Sequence, residues 1–126
     1  REQTLRWAAG AISRVCENAK SVAVYSGGQT VARLGVMGRE QTVQVGPIVE
    51  SALKSAQQQY LADLQILPGR FEFSYFPINT QAILIQPIGP DAFVVVGADK
   101  VRPFTGRDIG MVKRLALIAA QSLDVY

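Results

Sequence analysis

Two apolar runs, residues 82–85 (AILI) and 93–97 (FVVVG), constrain this chain more than any other feature. Each has the length and side-chain type of a β-strand, and Ile88-Gly89-Pro90-Asp91 between them supplies the residues of a turn. They predict a hairpin. Behind it, Pro103-Phe104-Thr105-Gly106-Arg107-Asp108 opens a helix, with Thr105 and Asp108 spaced as a capping box. Ile109, Val112, Leu115, Ala116, Ala119 and Leu123 then recur on one helical face.

The earlier chain supplies the remaining layers. Leu5, Ala8, Ala9, Ile12, Val15, Cys16 and Ala19 predict a helix over 4–19, capped by Thr4. Trp7 lies off that stripe, beside Ala11 and Arg14, and reads either as a contact surface or as a ring folded over the core rim. Residues 21–26 and 29–36 flank Gly27-Gly28, which marks a tight hairpin because primed turns need positive φ. A third strand is expected over 41–45. Pro47 suits a first helical position, and Ile48, Val49, Ala52, Leu53 and Ala56 carry that helix to about residue 59. A brief strand over 60–63 and a turn over 67–70 follow. Phe71, Phe73 and Tyr75 alternate with Glu72 and Ser74, as in a half-buried strand or extended loop. With hairpins dominant and few helices, the expectation is a single α+β domain over 1–126. Its central antiparallel sheet is packed by N-terminal, middle and C-terminal helices.

Composition limits the chemistry. Apolar residues make up 48% and charged residues 18%, enough for a real core. No apolar run is long enough to span a bilayer, and nothing at the start reads as a signal peptide. The chain contains no histidine, so Ser/His/Asp and Cys/His nucleophile systems and Cys/His zinc sites are excluded. The ten carboxylates are scattered without a motif. Cys16 is the single cysteine; its place on the apolar stripe favours a buried, inert thiol over a haem ligand or tetrapyrrole attachment site. Met37 and Met111 are read as core, and Gly97 and Gly110 as tight packing or turns. A net charge of +3 is too weak to argue for nucleic acid. Lys100, Arg102, Arg107, Lys113 and Arg114 form either a solvated face or a docking patch for an acidic partner or anionic lipid heads. These residues point to a domain that works by binding rather than by catalysis of its own.

The closing pattern of residues 80–124 resembles that of GAF domains. A second resemblance is more specific. Residues 60–89 read YLADLQILPGRFEFSYFPINTQAILIQPIG, and Leu-Pro-Gly-Arg-x-Glu-Phe, Pro-x-Asn-Thr-Gln and Gln-Pro-Ile-Gly within it resemble the cofactor assembly of complex C family of oxygenic phototrophs. Leu5-Arg6-Trp7-Ala8, Ala23-Val24-Tyr25, residues 93–98, Arg102 and Phe104-Thr105 extend the match, and Phe76 and Ile78 depart from it. The resemblance implies an assembly factor for covalent attachment of haem c_i to the cytochrome b subunit of the cytochrome b6f complex. It implies a thylakoid protein whose soluble domain faces the stroma or cytoplasm, in a chloroplast or cyanobacterium. The start at Arg1 then fits a chain without its N-terminal membrane anchor. The implied partners are a paralogous or identical assembly protein, forming a dimer, and the apocytochrome. Haem is implied only as a transient contact, with no permanently bound cofactor.

The site residues expected on this basis are Arg70, Glu72, Phe73, Phe76, Asn79, Thr80, Gln81 and Gln86, with Trp7. Arg70 can pair with a haem propionate or a carboxylate. Asn79 and Thr80 equally suit a turn, and Gln81 and Gln86 equally suit backbone groups at strand ends. Two alternatives stand beside the assembly reading: a GAF-like small-ligand sensor or regulatory module, and an enzyme, which the missing histidine disfavours. A sensor should hold a closed pocket; an assembly module should expose an apolar patch, for which Trp7, Phe71, Phe73, Phe76 and Ile78 are candidates.

Overall fold

The computed structural model describes residues 2–66 and 70–124. Its elements run α1 (Glu2–Val15), β1 (Ser21–Ser26), β2 (Gln29–Gly35), α2 (Pro47–Ser55), β3 (Gln59–Leu61), β4 (Ala82–Gly89), β5 (Ala92–Ala98) and α3 (Gly106–Asp124). The strands form one antiparallel sheet in the order β2-β1-β5-β4-β3, as the α+β reading expects. Both predicted hairpins are present. Gly27 and Gly28 turn the first with φ of 58° and 84°, a conformation that costs a residue with a Cβ atom.

Strand alternation splits the core into two halves. Val22, Val24, Leu84, Val94 and Val96 point to one face, where Leu5, Ala8, Ala9 and Ile12 of α1 and Val112, Leu115, Ala116 and Ala119 of α3 cover them. The intervening residues Ala23, Ile83, Ile85, Phe93 and Val95 point to the other, under Val49 and Ala52 of α2 and Leu64, Phe73, Tyr75 and Phe76. Strand β5, central and buried along its whole length, reads as an unbroken apolar run for this reason.

Four local expectations fail, each for a physical reason. Helix α2, expected to about residue 59, ends at Ser55, because Ala56 takes the left-handed conformation (φ 55°) and its N–H turns back to Leu53 O (3.2 Å). Residues 41–45 do not form a strand. The Val43 N–H instead donates to Thr30 Oγ1 (2.9 Å), and Val43 is buried while Val45 is 40% exposed. The segment is thus pinned by one side chain rather than by a ladder. Arg70–Phe73 is a 3₁₀ turn rather than a strand, and the Phe76 N–H extends the turning path by donating to Phe73 O (3.0 Å). This winding sends Phe73, Tyr75 and Phe76 into the core. Helix α1 stops at Val15, because residues 16–19 form a turn in which the Ala19 N–H donates to Cys16 O (3.0 Å). The predicted turn at 67–70 lies outside the described residues except for Arg70.

Candidate functional site

The motif segment is a latch between α2, the sheet and the loop 36–46. It begins at the start of α2, where Gly46 is the N-cap without a side chain to offer and Pro47 has no N–H. The next two N–H groups are taken by a residue far along the chain: Ile48 donates to Glu72 Oε1 (2.8 Å) and Val49 to Glu72 Oε2 (3.1 Å). A carboxylate at a helix N-terminus also meets the positive end of the helix dipole. Gly46 makes this approach possible, since a Cβ there would lie 2.6 Å from Glu72 Cβ and Oε2.

Beyond Glu72 the chain fills the second core. Phe73 and Tyr75 meet edge to face at 6.1 Å, and Tyr75 and Phe76 at 5.0 Å. The Phe76 ring lies on Gly97 of β5, where a Cβ would come within 2.7 Å of Phe76 Cδ2. Gly97 therefore serves close packing, as expected. The Tyr75 hydroxyl is buried with no hydrogen-bond partner among the described residues; burial, and then the Glu72 carboxylate, hold the phenol well above its usual range. The Gly38 N–H donates to Tyr75 O (2.9 Å) and so ties the loop 36–46 to the same segment.

The far end of the segment closes on the strand ends. The Thr80 N–H donates to Pro77 O (3.0 Å) across a turn whose tip carries Ile78, 94% exposed, and exposed Asn79. Gln81 donates its N–H to Ala98 O (2.8 Å), accepts from Leu64 N–H (2.8 Å), and receives Gln65 Nε2 at its side-chain oxygen (2.9 Å). Gln86 is buried on β4; its Nε2 donates to Pro87 O (2.9 Å), and its Oε1 has no partner among the described residues. It lines an open groove of about 420 Å³ together with Leu53, Ile88, Lys113 and Leu117.

The structure thus sorts the expected site residues into two groups. Glu72, Phe73, Phe76, Thr80, Gln81 and Gln86 are built into the fold, whereas Asn79 and Trp7 face outward. The side chains of Arg70 and Phe71 lie outside the described residues. The candidate exposed patch is corrected: Phe73 and Phe76 are 4% and 2% exposed, so neither presents a surface. Their rings fill the space between the sheet and α2. Cys16 is buried, and that burial, with Asp108 nearby, pushes its thiol up to about 11, so little reactive thiolate forms near neutral pH.

Sequence reasoning missed Tyr60, whose hydroxyl accepts the Phe104 N–H (3.1 Å), and Asn18, whose Nδ2 donates to Pro103 O (2.9 Å). Both hold the entry to α3, and no periodicity could signal a contact across so much chain. The expected capping box at that entry is present: Thr105 Oγ1 accepts from Asp108 N–H (3.1 Å), and Asp108 Oδ2 accepts from Thr105 N–H (3.0 Å). Gly110 is a correction, because a Cβ there would meet nothing within 4 Å and tight packing does not explain it. Among the described residues, no helix is long and apolar enough to cross a membrane.

The family described as cofactor assembly of complex C, CCB2/CCB4, matches residues 1–117, which takes in every element up to the middle of α3. The chain belongs to this family. A chloroplastic cofactor assembly of complex C protein, CCB4 of Arabidopsis thaliana, is 37% identical over 73 residues, or 58% of this chain. This family member spans about a quarter of that relative's length, since the match covers 25% of it. Among solved structures, type II free methionine-R-sulfoxide reductase from Thermoplasma acidophilum superposes with a TM-score of 0.78 at 16% identity, over 99% of this chain and 92% of that one. The blue-light absorbing form of the Thermosynechococcus elongatus PixJ GAF domain gives 0.75 at 17% identity, over 98% and 84%. Such identities show the GAF-like fold alone.

Proposed function

We propose that this domain is part of an assembly factor for covalent attachment of haem c_i to the cytochrome b subunit of the cytochrome b6f complex. It acts by holding and orienting the apocytochrome, with haem as cargo, rather than through a nucleophile of its own. The observation that carries this reading is the family match across residues 1–117. The filled core around Phe73, Tyr75 and Phe76 supports it against a small-ligand sensor. In this reading the client supplies the thiol and the haem its vinyl group, and the domain contributes placement, which alone accelerates a bimolecular step greatly. The working location is the thylakoid membrane, on its stromal or cytoplasmic side, and the partners are a paralogous or identical assembly protein and the apocytochrome.

Contacts with partner or haem are assigned to Arg70 of the motif and to the outward-facing Asn79 and Trp7. Glu72 and Gln81 set the shape of that segment. The test is covalent haem on cytochrome b, read by peroxidase stain in cells whose own protein is replaced by Arg70→Ala plus Asn79→Ala. Loss of stain with the protein still accumulating supports the reading. Full staining removes these residues from the site.

A further inference from the structure

Strand β3 stops short of the strand it pairs with. Its first residue, Gln59, sits opposite Ile85 of β4, yet β4 runs on beside β5 through Gln86↔Val94, Pro87↔Phe93 and Gly89↔Ala92. The chain before Gln59 does not continue the ladder, because it comes from α2, which ends where Ala56 turns left-handed. In place of the missing strand lies the groove of about 420 Å³, between the end of α2 and α3. Small-molecule sites run from about 300 to 1,000 Å³, so this one has the size to hold a ligand. Its two walls are tied together where Gln58 Nε2 donates to Ile109 O (3.1 Å), one turn of α3 before Lys113.

The lining has a definite chemical character. Gln86 is on the same face of β4 as Leu84 and Ile88 by strand alternation, and it is 7% exposed. Its Nε2 is spent on Pro87 O (2.9 Å), while its Oε1 has no partner among the described residues. A buried acceptor left in this state calls for a donor. Lys113 is the charged residue of the lining; it is exposed, and no carboxylate among the described residues pairs with it. The other lining side chains are apolar, with Leu53, Ile88 and Leu117 the largest. The edge of β4 offers little to a peptide backbone here, since Pro87 has no N–H and Gln86 already occupies its carbonyl. Recognition therefore falls to side chains rather than to an added strand.

We propose that this groove binds a small apolar acid that carries one N–H or O–H donor. Its carboxylate pairs with Lys113, its donor satisfies Gln86 Oε1, and its body packs on Leu53, Ile88 and Leu117. A lone cation and a lone acceptor in an apolar lining select such a molecule over a cationic one, or over one without the donor. The bound acid touches both α2 and α3 and so joins two helices that cover opposite faces of the sheet. The groove is open and lies apart from the core filled by Phe73, Tyr75 and Phe76. The inference goes beyond the assembly reading and does not depend on it.

The probe is indoleacetate, which combines an N–H, an apolar ring and a carboxylate. It is titrated into the isotope-labelled chain and followed by amide NMR shifts. Saturable shifts are expected at Ala56, Lys113, Leu117 and the side-chain amide of Gln86. Naphthaleneacetate, which lacks the donor, should bind at least tenfold more weakly, and cationic tryptamine should not bind. Lys113→Glu and Leu117→Asp should each lower the affinity for indoleacetate at least tenfold; both positions are exposed, so both variants fold. Gln86→Leu should abolish the preference for the indole acid over the naphthalene acid. The proposal is overturned by no saturable shift at these residues, by equal binding of tryptamine or naphthaleneacetate, by an affinity that both exposed variants retain, or by a preference that Gln86→Leu keeps. The same shifts produced by chain concentration alone, or by vesicles of anionic phospholipid, also overturn it, since the groove is then a self-contact or a lipid contact. Failure here leaves haem c_i attachment and its dependence on Arg70 and Asn79 untouched, and failure there leaves this site untouched.

Discussion

The two faces of the sheet are held by different physics. On the helical face, α1 and α3 lay aliphatic stripes against Val22, Val24, Leu84, Val94 and Val96, and each element brings its own periodic contribution. On the other face there is one short helix, and the rest is irregular chain: aromatic rings, a Glu72 carboxylate serving as a distant cap, and glycines where backbone or ring must come close. The first face is made of repeated small terms that tolerate local change. The second is made of single contacts, each of which fixes a long stretch of chain. Most of the family motif, Glu72 to Phe76 above all, falls on the second face, which is why much of it is structural.

The difference is measurable. Phe76→Ala should cost the most, about 3–5 kcal/mol, because a buried ring is lost and Gly97 is left facing a void. Ile12→Ala on the helical face should cost about 2–4 kcal/mol, since the helices can partly close the gap. Urea denaturation ranks the two, and a larger loss for Ile12→Ala would break the contrast. Glu72→Ala should cost about 1–3 kcal/mol by leaving two helical N–H groups without their acceptor. Hydrogen exchange should then quicken in α2 and residues 72–81 while α1 and α3 keep their protection; uniform loosening would show that the faces are not separate. Thr105→Ala, which removes an exposed cap, should cost only about 1 kcal/mol. Finally, the folded thiol of Cys16 is raised above its unfolded value, so it stays protonated until the pH climbs toward 11. Alkylation of the native chain should therefore be slow at neutral pH, and stability should decline as pH rises through the interval from the unfolded value to 11. Fast labelling without denaturant contradicts the burial.

The helical face was legible in the sequence because its forces are periodic. Leu5, Ala8, Ala9 and Ile12, and Val112 through Ala119, announce both a helix and the side it buries. The hairpins were legible from Gly27-Gly28 and Gly89-Pro90. The loop face was not. Residues 41–45 and 71–75 alternate like strands, yet Thr30 and the start of α2 capture them first, and a side-chain contact across 13 or 24 positions leaves no local signature. The motif residues were visible as a pattern, but only the fold separates the built-in Glu72, Phe76 and Gln81 from the outward Asn79. Gly110 shows the converse, because a glycine mid-helix invites a packing explanation until the space around it is seen to be open.

The central claim is that this domain works by binding within an assembly system. The most direct measurement is purification of the full-length protein from thylakoid membranes during active cytochrome b6f synthesis, followed by identification of what accompanies it. The prediction is recovery of a paralogous or identical family member together with the cytochrome b apoprotein. Recovery of the protein without the cytochrome b apoprotein would contradict it.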